Sequence, residues 1–346
     1  MSDLIPGDSE PACDLSIDAT ADMDEAVGGG RSTIRDLLYD AERRLTSAGV
    51  PSSQADAAWL MAWVVGVPRT RLFLQDTLSQ AQRVKFERAV SRRLSRIPLQ
   101  HITGRAAFRR IELDVGPGVF IPRPETELVA EAGIRFLREN EGGVAVDLCA
   151  GSGALGLSLA IEAPGTTVYL VEMDEKAVEW TRRNVEGLGS AVAQVGSRVE
   201  VIHGDAGEVA DSGGALIKLL DGVDVVVSNP PYIPESMIPR EVEVRDHDPA
   251  IALFAGPDGL DVIRRVVRTA ALLLRPGGLL AIEHADVQGA GAPDGGVARV
   301  LRDFTVDEKL SVLVPGRPGM KVFERVTDRL DLAGLPRFTL ATRCSA

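Results

Sequence analysis

The chain has 346 residues, 45% of them hydrophobic, and a formal net charge of −12, which is enough material for about two domains with real cores. Its longest apolar runs, such as Ala57 to Val67, are shorter than a membrane span, and no basic segment followed by an apolar one opens the chain, so neither a spanning helix nor a secretory leader is expected. Cys13, Cys149 and Cys344 lie far apart without CxxC spacing, so no disulfide framework and no metal site are expected, and the cytosol is the expected compartment.

Residues 1–31 are acidic and poor in large apolar side chains. They cannot bury enough surface to offset ordering entropy, and a disordered leader is expected there. Residues 31–110 then carry 15 basic against six acidic side chains, a basic block that suits an acidic protein surface or a nucleic acid. Helical periodicity begins at Ile34, Leu37, Leu38, Ala41 and Leu45, with Ser32 or Thr33 as N-cap and Gly49 after the last turn. A second helix through Ala57, Leu60, Met61 and Val64 ends at Gly66. A short third contains Leu72 and Leu74, and a fourth, capped by Ser79, runs through Val84, Phe86, Val90 and Leu94. Short connectors make residues 32–97 a compact helical bundle. Trp59, Trp63 and Trp180 fall on predicted helices and read as core.

Residues 98–124 change texture. An alternating stretch from Phe108 to Val115, punctuated by Gly and Pro, predicts a hairpin linker. Two prolines flank Arg123 in a stiff loop, where its guanidinium can bond a carboxylate across the domain interface or contact a ligand. Thr126 or Glu125 then caps a helix over Leu128–Leu137. From residue 125 onward the chain alternates strand and helix. Strands are predicted at Val144–Leu148, Thr167–Glu172, Val199–His203, Asp224–Ser228 and Gly278–His284, with helices near 154–162, 174–187, 214–220 and 258–274. This is the rhythm of an α/β fold with a doubly wound, mostly parallel sheet over 125–346. Beyond it, Ser311–Val314, Met320–Arg325 and Arg337–Thr342 read as further strands.

The ends of the predicted strands carry the chemistry. After the first, Asp147-Leu148-Cys149-Ala150-Gly151-Ser152-Gly153-Ala154-Leu155-Gly156 places GxGxxG between strand and helix, and Glu172 ends the second strand about 20 residues on, where ribose hydroxyls are received. Glycine loop and acid together mean a nucleoside cofactor, NAD or S-adenosylmethionine. Asp147 disfavours a pyrophosphate but can organise the loop or bond an ammonium. Asp205, beside Ala206 after the third strand, can accept from an adenine amino group. After the fourth strand, Asn229-Pro230-Pro231-Tyr232 leaves the carbonyls of Asn229 and Pro230 free beside a flat aromatic wall, a pattern suited to a planar group bearing NH2. Together these edges suit a methyltransferase better than a dehydrogenase, which would leave Asn229 to Tyr232 without a task. His101, His203, His247 and His284 lack ligand spacing and read as structural.

Gly151-Ser152-Gly153, Glu172, Asp205 and Ser228-Asn229-Pro230-Pro231-Tyr232-Ile233 resemble the ordered motifs of class I S-adenosylmethionine-dependent methyltransferases with a Rossmann-like fold. Pro98-Leu99-Gln100-His101-Ile102-Thr103-Gly104, Phe120 through Glu127, Arg275-Pro276-Gly277-Gly278, and Glu283-His284 with Gln288-Gly289 narrow the resemblance to the HemK/PrmC family of peptide chain release factor glutamine methyltransferases. The resemblance implies methyl transfer to N5 of the glutamine in the Gly-Gly-Gln loop of class I release factors. It implies Asn229, Pro230 and Tyr232 as catalytic residues, Pro231 with them in substrate binding, and Asp147, Cys149, Ala150, Gly151, Ser152, Gly153, Glu172, Asp205, Ala206 and Asn229 around S-adenosylmethionine. A monomer is expected, with the basic bundle, including Arg88, Arg92, Arg93 and Arg96, docking the release factor. Methylation of amino groups in nucleic acid is the alternative that the same tetrapeptide serves. The chain departs from the family pattern at Ala206, at Glu172 in place of aspartate, and at Asp248-Pro249.

Overall fold

The computed structural model describes residues 33–308, 310–313 and 317–345; the leader expected over 1–31, with Cys13, lies outside the described residues. The chain begins with helices α1 (Ile34–Ser47), α2 (Ser53–Val65), α3 (Gln80–Leu94) and the short α4 (Leu99–Thr103), with a 3-10 turn at Arg69–Leu74. Thr33 and Ser79 cap α1 and α3 with reciprocal capping boxes to Asp36 and Gln82, which satisfy backbone donors that the first turn leaves free. Leu45 of α1, Leu60 and Met61 of α2, and Phe86 and Val90 of α3 are nearly or wholly excluded from solvent and form one core. Trp59 does not join it. It is 49% exposed, and the Arg69 guanidinium lies 5.1 Å from its ring centroid.

An antiparallel hairpin follows, β1 (Arg105–Phe108) and β2 (Ile111–Asp114), with Phe108 and Ile111 paired at its turn. The α/β half then runs α5 (Glu127–Glu139), β3 (Gly143–Leu148), α6 (Ala154–Glu162), β4 (Thr166–Glu172), α7 (Glu175–Gln194), β5 (Arg198–His203) and β6 (Val223–Ser228). It continues with α8 (Val242–His247), α9 (Asp261–Leu273), β7 (Leu274–Glu283), α10 (Gly296–Asp303), α11 (Leu310–Leu313), β8 (Phe323–Leu330) and β9 (Pro336–Arg343). The seven-stranded sheet has the order β5-β4-β3-β6-β7-β9-β8; β3 to β7 are parallel, and β8 and β9 are antiparallel additions at one side. The chain moves outward from β3 to β5 and then returns to lay β6 on the other side of β3. That reversal opens a crevice at the carboxyl ends of β3 and β6, where open α/β sheets take their ligands.

Strand alternation divides the core in two. Ala145, Leu170, Val225 and Val227 face α5, α6 and the hairpin, whereas Val146, Val171, Val226 and Leu280 face α9 and α10. Three expectations change. Leu310–Leu313 is helical rather than a strand from Ser311, because a short apolar run does not by its periodicity distinguish the two. Residues 214–220 contain only a 3-10 turn at Ile217–Leu219, so turns make most of the crossover into β6. The strand expected at Gly278 starts at Leu274, where a register shift opposite Val223 and Val225 absorbs Pro276 and Gly277.

The bundle is tied to the α/β half through α8. Glu243 receives Arg96 through two bonds, at 2.8 and 2.6 Å, and pairs with Arg93 at 2.8 Å. Arg93 also bonds Asp56 of α2 at 2.7 Å, with both side chains buried. Arg92 donates to the His101 carbonyl at 3.3 Å, so three of the four arginines expected to dock a partner are engaged within the protein.

Candidate functional site

The loop after β3 is built by opposed demands on its glycines. Gly153 stands at the N-cap of α6 with φ +84°, a left-handed conformation that side chains resist. Gly156 is required by packing: a Cβ there would lie 2.0 Å from Leu170 Cδ2. The Gly156 N–H donates to Asp147 Oδ2 at 2.9 Å. Asp147 is fully buried and its other carboxyl oxygen has no partner among the described residues, so burial, opposed by Gly156 and reinforced by the charge of Glu172, raises its pKa to about 8. Asp147 and Gly153 do not line the crevice; loop organisation is the role that the contacts of Asp147 display.

Glu172 ends β4 and turns back under the loop. Its Oε2 accepts from Gly151 N–H at 2.8 Å, and its Oε1 accepts from Met173 and Asp174 at 2.8 and 2.9 Å. Burial still outweighs these bonds and raises its pKa. Thr181 of α7 donates to the Gly151 carbonyl at 2.6 Å, and Asn184 donates to that of Ser152 at 2.9 Å. Asp205, past β5, accepts from Gly207 N–H at 2.7 Å and pairs with Arg265 of α9 at 2.7 Å. An adenine amino group at Asp205 would therefore share the carboxylate with Arg265.

Asn229 follows β6 directly. Its Nδ2 donates to Thr126 Oγ1 at 3.2 Å, and no hydrogen bond among the described residues ends on its Oδ1 or on the Pro230 carbonyl. The Tyr232 hydroxyl donates to Glu283 Oε1 at 3.3 Å, and the Tyr232 carbonyl accepts from Gln288 Nε2 at 2.9 Å, so the ring is held at both ends. Burial, with the charge of Glu283, raises the Tyr232 hydroxyl above its ordinary range, which keeps it a neutral donor. Arg123 bonds Asp248, 125 residues further along the same chain, at 2.8 Å.

These elements enclose one cavity of about 690 Å³, within the size range of small-molecule sites. Cys149, Ala150, Gly151, Ser152, Glu172, Asp205, Ala206, Asn229, Pro231 and Tyr232 line it together; Pro230 is buried outside the lining. Thr126, Arg265, Arg337 and parts of the segment Met237 to Phe254, chiefly Met237 to Glu241 and Ile251 to Phe254, also line it. For Thr126 the signal was present in the Pro-Arg-Pro-Glu-Thr-Glu stretch, though it was read there as a helix cap. Met237 to Phe254 carries no glycine loop, and of its residues only Asp248-Pro249 stood out in the sequence. Its exposed Met237, Ile238 and Ile251, with Val287, give the cavity an apolar rim.

Comparison with known proteins agrees with this geometry. Residues 36–104 match the family described as the PrmC N-terminal domain, and residues 111–242 match the methyltransferase small domain. A release factor glutamine methyltransferase of Streptomyces coelicolor is 49% identical over 264 residues, covering 74% of this chain and 86% of that protein. Its namesake in Mycolicibacterium smegmatis is 42% identical over 311 residues, covering 90% of this chain and 98% of that protein. A third, from Bifidobacterium longum, is 42% identical over 267 residues, covering 74% and 88%. With relatives of that name 42–49% identical over most of both chains, the chain belongs to the release factor glutamine methyltransferase family.

Proposed function

We propose that this protein transfers a methyl group from S-adenosylmethionine to the side-chain amide nitrogen of the glutamine in the Gly-Gly-Gln loop of class I release factors. The observation that carries this reading is the unengaged Oδ1 of Asn229 at the edge of the cavity, beside the locked ring of Tyr232. The residues fit the methyl donor. A carboxylate offers about four lone-pair sites, and backbone N–H groups take three on Glu172, which leaves an acceptor for a ribose hydroxyl. Ala150 to Ser152 supply a close backbone wall, and Ala206 and Val262 supply apolar surface next to Asp205. When bound, S-adenosylmethionine supplies a methyl carbon activated by a sulfonium.

The chain's own contribution is to make a poor nucleophile competent. An amide nitrogen delocalises its lone pair into the carbonyl. Asn229 Oδ1 and the Pro230 carbonyl each accept one N–H of the substrate amide, orient its nitrogen and stabilise the positive charge that grows there during attack. Pro231 and Tyr232 enclose the amide plane and exclude water. With Tyr232 held neutral, the reaction depends on these acceptors rather than on a strong base, and the proton leaves after methyl transfer. The apolar rim suits a peptide loop, and of the arginines that line the cavity Arg123, Arg265 and Arg337 are each already paired with a carboxylate, which leaves little for a phosphate backbone.

Mass spectrometry of a purified release factor incubated with labelled S-adenosylmethionine tests the reading. One added methyl on the Gly-Gly-Gln glutamine is expected, with none on duplex DNA. Asn229→Ala is expected to abolish transfer and leave donor affinity nearly intact; methylation elsewhere, or an active Asn229→Ala, refutes the proposal.

A further inference from the structure

Glycines carry no side chain, so an enzyme that holds a Gly-Gly-Gln loop by anything other than the glutamine amide must meet main-chain N–H and carbonyl groups. The cavity contains a donor suited to such a carbonyl. Arg123 lines it, and its guanidinium is held on two sides. Nη2 donates to Asp248 Oδ2 at 2.8 Å, and Cζ lies 5.1 Å from the centroid of the Phe120 ring, which lines the cavity as well. Pro122 and Pro124 stiffen the chain on either side. The anchor is firm in turn: the Asp248 side chain is 1% exposed, and Asp248 stands at the end of α8, just before a 3-10 turn at Ala250–Ala252 that brings the chain back to the cavity. Nε and Nη1 of Arg123 make no hydrogen bond among the described residues. A guanidinium only donates, so these N–H groups lose their water without compensation when a guest fills the cavity, unless the guest brings an oxygen.

Charge and place decide which oxygen. Asp248 already balances the guanidinium, so the pair is neutral as a unit. A carboxylate, such as that of the donor's methionine moiety, has to compete with Asp248 for the cation; a neutral carbonyl does not. The loop that carries Arg123 also carries Thr126, whose Oγ1 receives Asn229 Nδ2 at 3.2 Å, so the guanidinium belongs to the side of the cavity where the substrate amide is received. We propose that Arg123, fixed by Asp248 and Phe120, is a substrate-binding residue that donates to a main-chain carbonyl of the Gly-Gly-Gln loop. The inference deepens the reading of this cavity as a glutamine methyltransferase site and rests on it. A donor held in place before the loop arrives spares the cost of ordering a long side chain on binding, and a loop seated by its backbone brings its glutamine to Asn229 in a fixed register.

The test uses the full chain and a purified release factor, measuring kcat, KM for the release factor, and the affinity for S-adenosylmethionine by calorimetry. Arg123→Met keeps the length of the side chain and removes its donors. KM is expected to rise about tenfold to a hundredfold, while kcat at saturation stays within about threefold and donor affinity within about twofold of the parent. Because this variant strands Asp248 as a buried carboxylate without its cation, the double variant Arg123→Met/Asp248→Asn is measured beside it, and the same rise in KM is expected there. A parent-like KM in the double variant assigns the loss to the stranded carboxylate and overturns the proposal. An unchanged KM in Arg123→Met overturns it as well, and so does a fall in donor affinity of about tenfold or more, which gives the guanidinium to the donor's carboxylate. Should Arg123→Met fail to fold, the double variant decides alone. An active Asn229→Ala, in a chain with Arg123 intact, overturns the reading beneath the proposal instead.

Discussion

Replacing Glu243 by glutamine tests how firmly the helical bundle is fixed to the catalytic half. Burial alone would raise the pKa of this carboxyl, but the guanidinium groups of Arg96 and Arg93 overcome that and hold it at about 2, against an ordinary 4.5. At about 1.36 kcal/mol per pKa unit, the environment favours the ionised form by about 3 kcal/mol. The side chain is 16% exposed, so solvent screening reduces this to about 2–3 kcal/mol. Glu243→Gln keeps the shape and removes the charge, leaving the buried Arg93 with Asp56 alone. A loss of about 2 kcal/mol is expected at pH 7. Because the folded pKa is depressed, the contribution is complete above about 4.5 and vanishes as pH falls through about 2. Urea unfolding followed by tryptophan fluorescence measures it, since Trp59 and Trp63 report on the bundle and Trp180 on α7. Glu243 does not line the cavity, so donor affinity serves as the control. An unchanged unfolding curve at pH 7 refutes the reasoning.

Gly156→Ala places a Cβ against Leu170 and should cost about 1–3 kcal/mol by overpacking, read as a lowered urea midpoint; a neutral result refutes the packing argument. Glu172→Ala should weaken S-adenosylmethionine binding in calorimetry and also lower stability by about 2 kcal/mol or more, because it strips three backbone N–H groups of their acceptor. Lost affinity at unchanged stability would contradict that double role. Asp147, raised to about 8 by burial, contributes stability that is fully present below the ordinary aspartate range and is lost as pH rises through about 8. Denaturant midpoints of Asp147→Asn should accordingly gain on the parent as pH rises from about 4 to about 8 and level off above that, and parallel profiles would refute the assignment.

The strand ends were legible in the sequence because they depend on local chemistry: glycines where backbone must turn or pack closely, acids at strand termini, prolines that stop β6 after Ser228. The parallel sheet followed from alternating periodicities. What escaped detection depends on contacts between distant segments. Glu243 meets Arg93 and Arg96 across about 150 residues of chain, and nothing near any of them announces the pairing. Thr126 looked like a helix cap, yet it makes no side-chain cap bond to α5 and instead bonds Asn229. The exposed face of Trp59 was missed for a related reason: α2 is apolar around most of its circumference, so periodicity alone does not identify its outer side.

The glycine loop is braced from beneath by Glu172, Asp147, Thr181 and Asn184, each through a bond to the backbone. A cradle held in shape by its own protein does not have to be ordered by its guest. Binding free energy otherwise lost to freezing a floppy loop remains available for affinity, and the departing, demethylated cofactor leaves behind a seat already formed for the next turnover. The entropic cost of that seat is met once, when the chain folds, and not again in each catalytic cycle.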